Sequence, residues 1–333
     1  MRPARTLGLR FASVKAGPPA PKAYGPKCAG LGDRMRIAHD ACTGTAFITA
    51  GLGNLGPQIG CVRGARRERS RRVTTSEDKH VADRQRPLAL VTGVGRTAGI
   101  GAAIAYRLAA SGWNIAFTYW TPYDRRMPWG AEPGAADAIT AALAGHGAAG
   151  AAIEADLADP DAPARVFDEA ERRLGGVTAL VMGHCESVDS GLLDTTVESF
   201  DRHFAVNARA SWLLIREFGR RFAGVHGAGR VIGLTSDHTV GNLPYGASKG
   251  ALDRITLAAA RELAHLGVTA NAVNPGPVDT GWMSGEVRDQ VLRGTPLGRL
   301  GTPRDTAHLV DFLCSPQGQW VNGQLLMSNG GFA

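Results

Sequence analysis

Tyr245 and Lys249 are separated by three residues in the segment Tyr-Gly-Ala-Ser-Lys. Side chains four positions apart lie on one face of a helix, so we expect the phenol and the ammonium to reach the same ligand. A free tyrosine has a pKa of about 10, and a neighbouring ammonium favours the phenolate. The spacing therefore indicates a tyrosine that exchanges a proton with a ligand, assisted by a lysine.

A hydroxyl side chain precedes this pair. Ser236 ends the apolar run Val-Ile-Gly-Leu-Thr-Ser, and only eight residues separate it from Tyr245. Such a hydroxyl would orient a substrate carbonyl while the tyrosine donates the proton. Because the intervening segment is short, Thr235 and Thr239 are alternatives for this role.

A glycine-rich segment joins the first apolar run of the domain to a stretch with helical spacing. It reads Thr-Gly-Val-Gly-Arg-Thr-Ala-Gly-Ile-Gly over residues 92–101. Glycines there let the backbone turn sharply and approach a pyrophosphate, which the helix N-terminus stabilises. We therefore predict a dinucleotide site that uses the loop residues Gly93, Gly99, Ile100 and Gly101.

The choice of dinucleotide depends on the end of the second strand. Enzymes that use NAD place an acid there for the ribose 2′-hydroxyl, whereas residues 118–121 read Thr-Tyr-Trp-Thr. Arg96 lies in the glycine loop and Arg125 and Arg126 follow the strand, and a guanidinium suits a 2′-phosphate. NADP(H) is therefore favoured over NAD(H), although a solvated loop position is the alternative for Arg126. Asp156, after the third strand, is a candidate partner for the adenine amino group.

The elements that must position these residues begin at Arg86. From there apolar runs of strand length alternate with segments of helical period. That alternation predicts a single α/β domain over residues 86–333, a doubly wound parallel sheet with helices on both faces. Several runs are apolar nearly throughout, as strands buried on both faces require.

Residues 1–85 differ in composition from this domain. They are rich in Gly, Pro and Arg, and residues 1–72 hold fourteen Lys and Arg against three acids. The net charge of +7 therefore belongs to this part of the chain, and no nucleic-acid partner is expected for the body. We predict a disordered basic extension, and translation from an upstream start codon is one explanation of its presence. A transit peptide and a polyanion-binding arm are the alternatives.

Cysteine usage and hydropathy bear on the compartment. The five cysteines form no Cys-x-x-Cys pair and no cluster with metal-ligand spacing, so neither a disulfide framework nor a metal site is predicted. The uncharged stretch 43–62 contains five glycines and a proline, which argues against a membrane span. A cytoplasmic protein without a membrane partner is expected.

Taken together, residues 86–333 resemble the short-chain dehydrogenase/reductase family, most closely its bacterial 3-oxoacyl-(acyl carrier protein) reductase-like members. The matching features are the glycine loop, Asp156, Asn207, Ser236, the Tyr-Gly-Ala-Ser-Lys segment, Asn-Pro-Gly-Pro-Val-Asp-Thr at 274–280 and the C-terminal Gly-Gln-Leu-Leu-Met-Ser-Asn-Gly-Gly. The resemblance implies a Rossmann-type fold, a small-molecule or acyl-thioester carbonyl substrate, and a homodimer or homotetramer.

The resemblance also implies roles for individual residues. Tyr245 would be the general acid/base, Lys249 would bind the nicotinamide ribose and lower the pKa of the tyrosine, and Ser236 would steady the carbonyl. Asn207 would hold a water in the proton relay. Pro275, Gly276 and Thr280 would line the nicotinamide site.

The chain departs from the family pattern in three places. The glycine loop is two residues longer than usual, as in the enoyl reductases of the same superfamily, but those enzymes separate their tyrosine and lysine by six residues. Met-Gly-His-Cys at 182–185 replaces the usual Asn-Asn-Ala-Gly, where Gly183 would still permit close approach of the cofactor. The third departure is the short segment before Tyr245. An enoyl reductase and a non-catalytic nucleotide-sensing module are therefore the alternative functions.

Overall fold

A computed structural model describes residues 86–281 and 283–332. The predicted extension over residues 1–85 lies outside the described residues, so the boundary between it and the domain at 86–333 stays a prediction.

The described residues contain a seven-stranded sheet in which every neighbouring pair of strands is parallel. Its order is β3-β2-β1-β4-β5-β6-β7, which confirms the predicted doubly wound topology. The strands are β1 Leu88–Thr92, β2 Asn114–Tyr119, β3 Gly150–Glu154, β4 Val177–Met182, β5 Arg230–Leu234, β6 Thr269–Asn274 and β7 Leu325–Met327.

The helices follow the strands in alternation and cover both faces of the sheet. They are α1 Ile100–Ala110, α2 Thr121–Arg126, α3 Ala135–Gly145, α4 Ala162–Leu174, α5 Val197–His203, α6 Ala210–Arg221, α7 Leu243–Glu262, α8 Gly285–Gly294 and α9 Pro303–Cys314. The segment Phe204–Arg209 between α5 and α6 is a π-helix, and short 3₁₀ turns lie at Ala264–Leu266 and Pro316–Gly318.

Two apolar cores hold the layers together, one on each face of the sheet. In β1, Ala89 and Val91 pack into the core beneath α1 and α9, while Leu88 and Leu90 pack into the core beneath α4, α6 and α7. Alternate side chains of a strand point to opposite faces, so a strand in the centre of this sheet places side chains in both cores. This is why β1 and β5 are buried throughout.

The topology determines where a ligand would bind. The chain runs outward from β1 to β2 and β3, then crosses back to β4 beside β1 and continues to β7. In doubly wound sheets, a crevice forms beyond the carboxyl ends of the strands where the order reverses. Here that place lies beyond Thr92 of β1 and Met182 of β4, and it receives the glycine loop.

Residues 197–221 form a continuous helical stretch that is not a uniform α-helix. The π-helix Phe204–Arg209 interrupts it and contains Asn207, whose side chain is completely buried. Helices α2 and α8 were not predicted. Helix α2 has six residues and no buried side chain, so it carries no hydrophobic periodicity by which a sequence would reveal it.

His184 joins three of these elements. Its Nε2–H donates to the Val206 carbonyl at 3.0 Å, and its Nδ1 accepts from the Thr92 hydroxyl at 2.6 Å. This pair of contacts suits a neutral imidazole. Burial and the nearby Lys249 ammonium lower the pKa of His184 to about 3, so the ring stays neutral in the folded protein.

The buried neutral His184 predicts a loss of stability in mild acid. The unfolded chain binds a proton at His184 below a pH of about 6.5, and the folded chain does not. The contribution of this residue to the free energy of unfolding is therefore complete above that pH and decreases as the pH falls. Between pH 6.5 and pH 5 the free energy of unfolding should decrease by about 2 kcal/mol through this residue. Urea unfolding at both pH values measures it.

The control for this prediction is the exposed His238. His184→Asn should flatten the pH dependence of the unfolding free energy between pH 6.5 and 5, whereas His238→Asn should leave it as in the wild type. Equal pH dependence in all three proteins would contradict a buried neutral His184.

No helix of the described part of the chain has both the length and the apolar character needed to cross a membrane.

Candidate active site

Ser236 and Tyr245 meet beyond the carboxyl end of β5. Ser236 lies two residues after the strand, and Tyr245 lies in the first turn of α7, which has Pro244 among its first residues. Both side chains are partly buried, and the Ser236 hydroxyl lies close enough to the Tyr245 phenol to act on its pKa. The backbone N–H of His238 also donates to Ser236 Oγ at 3.2 Å. This pairing is the arrangement that the sequence predicted.

The two alternative hydroxyls point elsewhere. Thr235 is buried, and its hydroxyl lies 3.4 Å from the Lys249 carbonyl oxygen and near the Asp253 carboxylate. Thr239 is exposed and donates to the Asp237 carbonyl at 3.2 Å. Of the three candidates, Ser236 is therefore the one in contact with the Tyr245 phenol.

Lys249 lies one turn after Tyr245 on α7, and its side chain is only 2% exposed. The ammonium donates to the carbonyl oxygen of Leu234 at 2.8 Å and lies 3.5 Å from that of His184. It is 5.6 Å from the centre of the Tyr245 ring. Burial lowers the pKa of Lys249, while Cys185 and Asp253 act in the opposite direction.

The surroundings of Tyr245 act on its pKa in opposite directions. Burial raises the pKa of Tyr245 above its ordinary value, the neighbouring Cys185 adds to this, and the nearby Ser236 hydroxyl acts in the opposite direction. The Lys249 ammonium donates to strand-end carbonyls and not to the phenol. In this arrangement Tyr245 is a neutral phenol that can donate a proton.

Asn207 supports the site from the π-helix. Its side-chain oxygen accepts from the Glu186 backbone N–H at 2.7 Å, and its amide donates to the Glu186 carbonyl and to the Ser248 hydroxyl, both at 2.9 Å. The Ser248 hydroxyl in turn donates to the Tyr245 carbonyl at 2.7 Å. Asn207 thus ties the loop after β4 to the first turn of α7, and its predicted role toward a water stays a prediction.

The glycine loop lies at the crevice between β1 and β4. Gly93 has a φ of 78°, and a Cβ at this position would fall 2.6 Å from the backbone nitrogen of His184. Only glycine therefore fits between the two strand ends. Gly183 lies on the other side of this contact, where its N–H donates to the Thr92 carbonyl at 3.2 Å.

Gly99, Ile100 and Gly101 form the start of α1. Gly99 is the N-cap, no side chain caps the helix, and its first turn contains no acid. The N-terminal N–H groups of the helix are thus left to another acceptor, which is the arrangement that binds the pyrophosphate of a dinucleotide. On this observation the loop fits the predicted cofactor.

Pro275 and Gly276 follow β6, and Thr280 lies four residues further on. Gly276 has a φ of 63° and approaches Asn329 so closely that a Cβ would fall 2.3 Å from it. Thr280 is buried, and its carbonyl oxygen accepts from the Arg96 guanidinium at 3.2 Å. The segment after β6 and the glycine loop therefore meet across the crevice.

Asp156 lies apart from these groups, beyond β3. Its carboxylate faces the Arg202 guanidinium, with both N···O distances 3.2 Å, and accepts from the Ala158 N–H at 2.9 Å. It borders a groove of about 520 Å³ that also contains Trp120. An adenine amino group in this groove would share the carboxylate with Arg202.

A second cluster lies in the crevice, and no pattern in the sequence indicates it. The Tyr123 phenol, on α2, lies close to the Cys185 thiol and to Tyr245. Burial raises the pKa of both Tyr123 and Cys185. Helix α2 thus brings a second phenol to the site.

Helix α2 is also fastened by a charge pair. Arg126 lies 2.5 Å from the carboxylate of Glu186, whose side chain is 3% exposed, and the Arg202 guanidinium lies 3.5 Å from the same carboxylate. Arg126 is therefore paired and is not the solvated loop charge that the sequence offered as its alternative.

In the part of the chain that the structure describes, no group of three or more His, Cys, Asp or Glu side chains is arranged to hold a metal ion.

Comparison with known proteins identifies the family. A family model described as enoyl-(acyl carrier protein) reductase matches residues 93–333. An uncharacterized oxidoreductase from Bacillus subtilis, YjdA, is 36% identical over 253 residues, which cover 74% of this chain and 97% of the relative.

Two further relatives carry cofactor information in their names. The NADPH-dependent aldehyde reductase 2 of Arabidopsis thaliana chloroplasts is 36% identical, covering 73% of this chain and 93% of the relative. A blue fluorescent protein from a metagenomic library, solved in complex with NADPH, is 35% identical with a TM-score of 0.66, covering 74% of this chain and 98% of that one. With the parallel sheet and the Ser236–Tyr245–Lys249 arrangement, these matches show that the chain belongs to the short-chain dehydrogenase/reductase family of oxidoreductases.

Proposed function

We propose that this protein is an NADP(H)-dependent oxidoreductase that interconverts a ketone and a secondary alcohol, with Tyr245 as the general acid/base. The observation that carries the proposal is the proximity of the Ser236 hydroxyl and the Tyr245 phenol, one helical turn from the buried Lys249. This places a hydroxyl that can orient a carbonyl next to a phenol that can protonate it.

The proposed cofactor is NADP(H). The NADPH-dependent relative and the NADPH complex support this choice, as does Arg96 in the glycine loop. The residues that would hold it are Gly93, Arg96, Gly99, Ile100, Gly101 and Gly183 beside the phosphates, Asp156 near the adenine, and Tyr245, Lys249, Pro275, Gly276 and Thr280 near the nicotinamide. When bound, NADPH supplies the hydride that is added to the carbonyl carbon.

The residues of the chain perform the remaining work. Ser236 donates a hydrogen bond to the substrate oxygen and so orients the carbonyl. As that oxygen gains negative charge, Tyr245 transfers its phenolic proton to it, which completes the alcohol. Lys249 keeps a positive charge beside the phenolate that is left, and this charge favours the proton transfer. In the oxidative direction, the same groups act in reverse.

For the substrate we propose a 3-oxoacyl-like ketone or thioester, by the resemblance stated from the sequence. The description of the matching family model favours an enoyl reductase as the second candidate. The separation of Tyr245 and Lys249 by three residues argues for carbonyl reduction, since the enoyl reductases separate theirs by six. A cytoplasmic homodimer or homotetramer is part of the same proposal.

A nucleotide-sensing module without turnover is the alternative outside the enzyme class. Such a module would need the glycine loop but not the Ser236–Tyr245 contact. The retention of both hydroxyls with Lys249 therefore favours an enzyme.

The first test removes the proton donor. Tyr245→Phe should lower kcat/KM for ketone reduction by about 10²- to 10⁴-fold, because the phenyl ring keeps the packing but has no proton to transfer. Steady-state kinetics on 3-oxoacyl thioesters, simple ketones and enoyl thioesters measure this, with NADPH binding followed by calorimetry. Tyr106→Phe, which removes a partly buried phenol from α1, is the control and should behave as wild type.

The outcomes of this panel separate the candidates. Turnover of enoyl thioesters alone would replace the proposed reaction by enoyl reduction. Binding of NADPH without turnover of any substrate would favour the sensing module.

A second test compares two neighbouring hydroxyls. Ser236→Ala should reduce kcat/KM by at least about tenfold, because Ser236 is the hydroxyl that meets Tyr245. Thr235→Val should leave the chemical step much less affected, because its hydroxyl faces Lys249 and Asp253 within the fold. The reverse order of effects would assign the carbonyl contact to Thr235.

A third test uses the raised pKa of Tyr245. Reduction needs the protonated phenol, which persists until the pH rises through its pKa; burial puts that pKa above the ordinary value. The profile of kcat/KM for reduction should therefore stay level from pH 7 to about pH 9.5. A decline centred near neutral pH in the wild type would mean that Lys249 depresses the phenol pKa in the working enzyme.

A further inference from the structure

The hydrogen-bond acceptors of the Lys249 ammonium carry no net charge. They are the carbonyl oxygens of Leu234 and His184. Burial of this side chain lowers the pKa of Lys249, because an environment with little solvent disfavours the charged form. The proposed reaction needs that charged form, since the ammonium stabilises the phenolate that proton transfer leaves on Tyr245. A negative group close to Lys249 would therefore support the reaction.

Asp253 lies one turn beyond Lys249 on α7. The two residues are four positions apart on a regular helix, so their side chains lie on one face. Asp253 is half-buried, and its Oδ1 is shielded from solvent and accepts no hydrogen bond from the part of the chain that the structure describes. A carboxylate oxygen without a donor is costly to bury, and a nearby cation offsets that cost.

The charged groups around Asp253 come from α7 and from the loop after β5. Burial raises the pKa of Asp253, and the Asp237 carboxylate acts in the same direction. The Thr235 hydroxyl, the Lys249 ammonium and the Arg254 guanidinium act in the opposite direction. Arg254 is exposed, so solvent and salt screen its charge. Lys249 is therefore the buried cation that interacts with this carboxylate.

The other titratable groups near Lys249 are neutral at neutral pH. An ionised Cys185 thiol, in the loop after β4, would raise the pKa of Lys249, but burial raises the pKa of the thiol itself and keeps it uncharged. Burial lowers the pKa of His184 and raises that of Tyr245, so both rings are neutral as well. Asp253 is thus the negative group that acts on Lys249 at this pH.

We propose that Asp253 is a positioning residue of the active site, whose carboxylate supplies the negative charge that keeps the buried Lys249 ammonium protonated beside Tyr245. This inference rests on the proposed function, because it concerns the charge that assists proton transfer from Tyr245. Asp253 acts through charge, since the hydrogen bonds of the ammonium go to carbonyl oxygens.

The sequence makes the protonation of Lys249 directly measurable, because it is the only lysine of residues 86–333. In the full-length protein with carbon-13 at the lysine Cε, the signal that is absent from Lys249→Arg belongs to Lys249. Its chemical shift, followed against pH, gives the midpoint of the titration. Asp253→Asn should move this midpoint to lower pH, because the charge that favours the ammonium is removed.

Three further variants separate charge from packing. Asp253→Ser is smaller than Asp253→Asn but equally uncharged, so it should move the Lys249 midpoint in the same direction. Asp253→Glu keeps the charge and should retain most of the wild-type midpoint. Glu262→Gln removes a carboxylate from the exposed end of α7 and should leave the midpoint as in wild type. Wild-type midpoints in both neutral variants of Asp253 would overturn the inference.

The pH profile of turnover gives a readout that a purely structural role would not move. The value of kcat/KM for ketone reduction by Asp253→Asn, relative to wild type, should be about two- to tenfold lower at pH 9 than at pH 7. The reason is that Lys249 loses its proton at lower pH in the variant. An equal ratio at both pH values would overturn the role of Asp253 in positioning the charge.

The two readouts distinguish failure of this inference from failure of the proposed function. An active wild type with an unmoved Lys249 midpoint in the neutral variants would overturn the inference alone. A wild type that turns over no substrate would overturn the proposed function, and the midpoint would still decide whether Asp253 is the charge partner of Lys249.

Discussion

The buried ammonium of Lys249 is the interaction on which the site depends. A charged group with 2% exposure requires hydrogen-bond acceptors, and those that it meets are the carbonyl oxygens of Leu234 and His184. These oxygens lie at and just beyond the ends of β5 and β4, which are neighbours in the sheet. Helix α7 is therefore held in one register against two strand ends, and that register determines where Tyr245 meets Ser236.

His184 connects α7 to the cofactor side of the crevice. Its carbonyl faces Lys249 while its ring bridges Thr92 of β1 and Val206 of the π-helix. The π-helix in turn carries Asn207, which is bonded to the loop after β4 and to α7. Single-turn π segments occur often at functional sites, and here the wider turn presents a buried amide to two loops. The replacement of the usual Asn-Asn-Ala-Gly by Met-Gly-His-Cys has thus produced a structural imidazole at this position.

The sequence predicted the features that local pattern determines. Alternating apolar runs predicted the parallel sheet, and the four-residue spacing of Tyr245 and Lys249 predicted a shared helix face. The spacing of Tyr245 and Lys249 predicted their proximity but not the direction in which the Lys249 ammonium donates. Helix α2 was missed for a different reason, since none of its six residues is buried and its position depends on tertiary contacts such as Arg126 with Glu186.

Charge counts along the chain likewise overstate the positive charge available to a cofactor. Arg96 and Arg126 both suggest a phosphate site when they are read from the sequence. In the structure, Arg126 is neutralised by Glu186, whose carboxylate is nearly buried and also lies near Arg202. The charge of Arg126 is therefore used to hold α2 against the loop after β4. Arg96, which stacks on Trp129 instead of on a carboxylate, is the guanidinium that keeps its charge for a ligand.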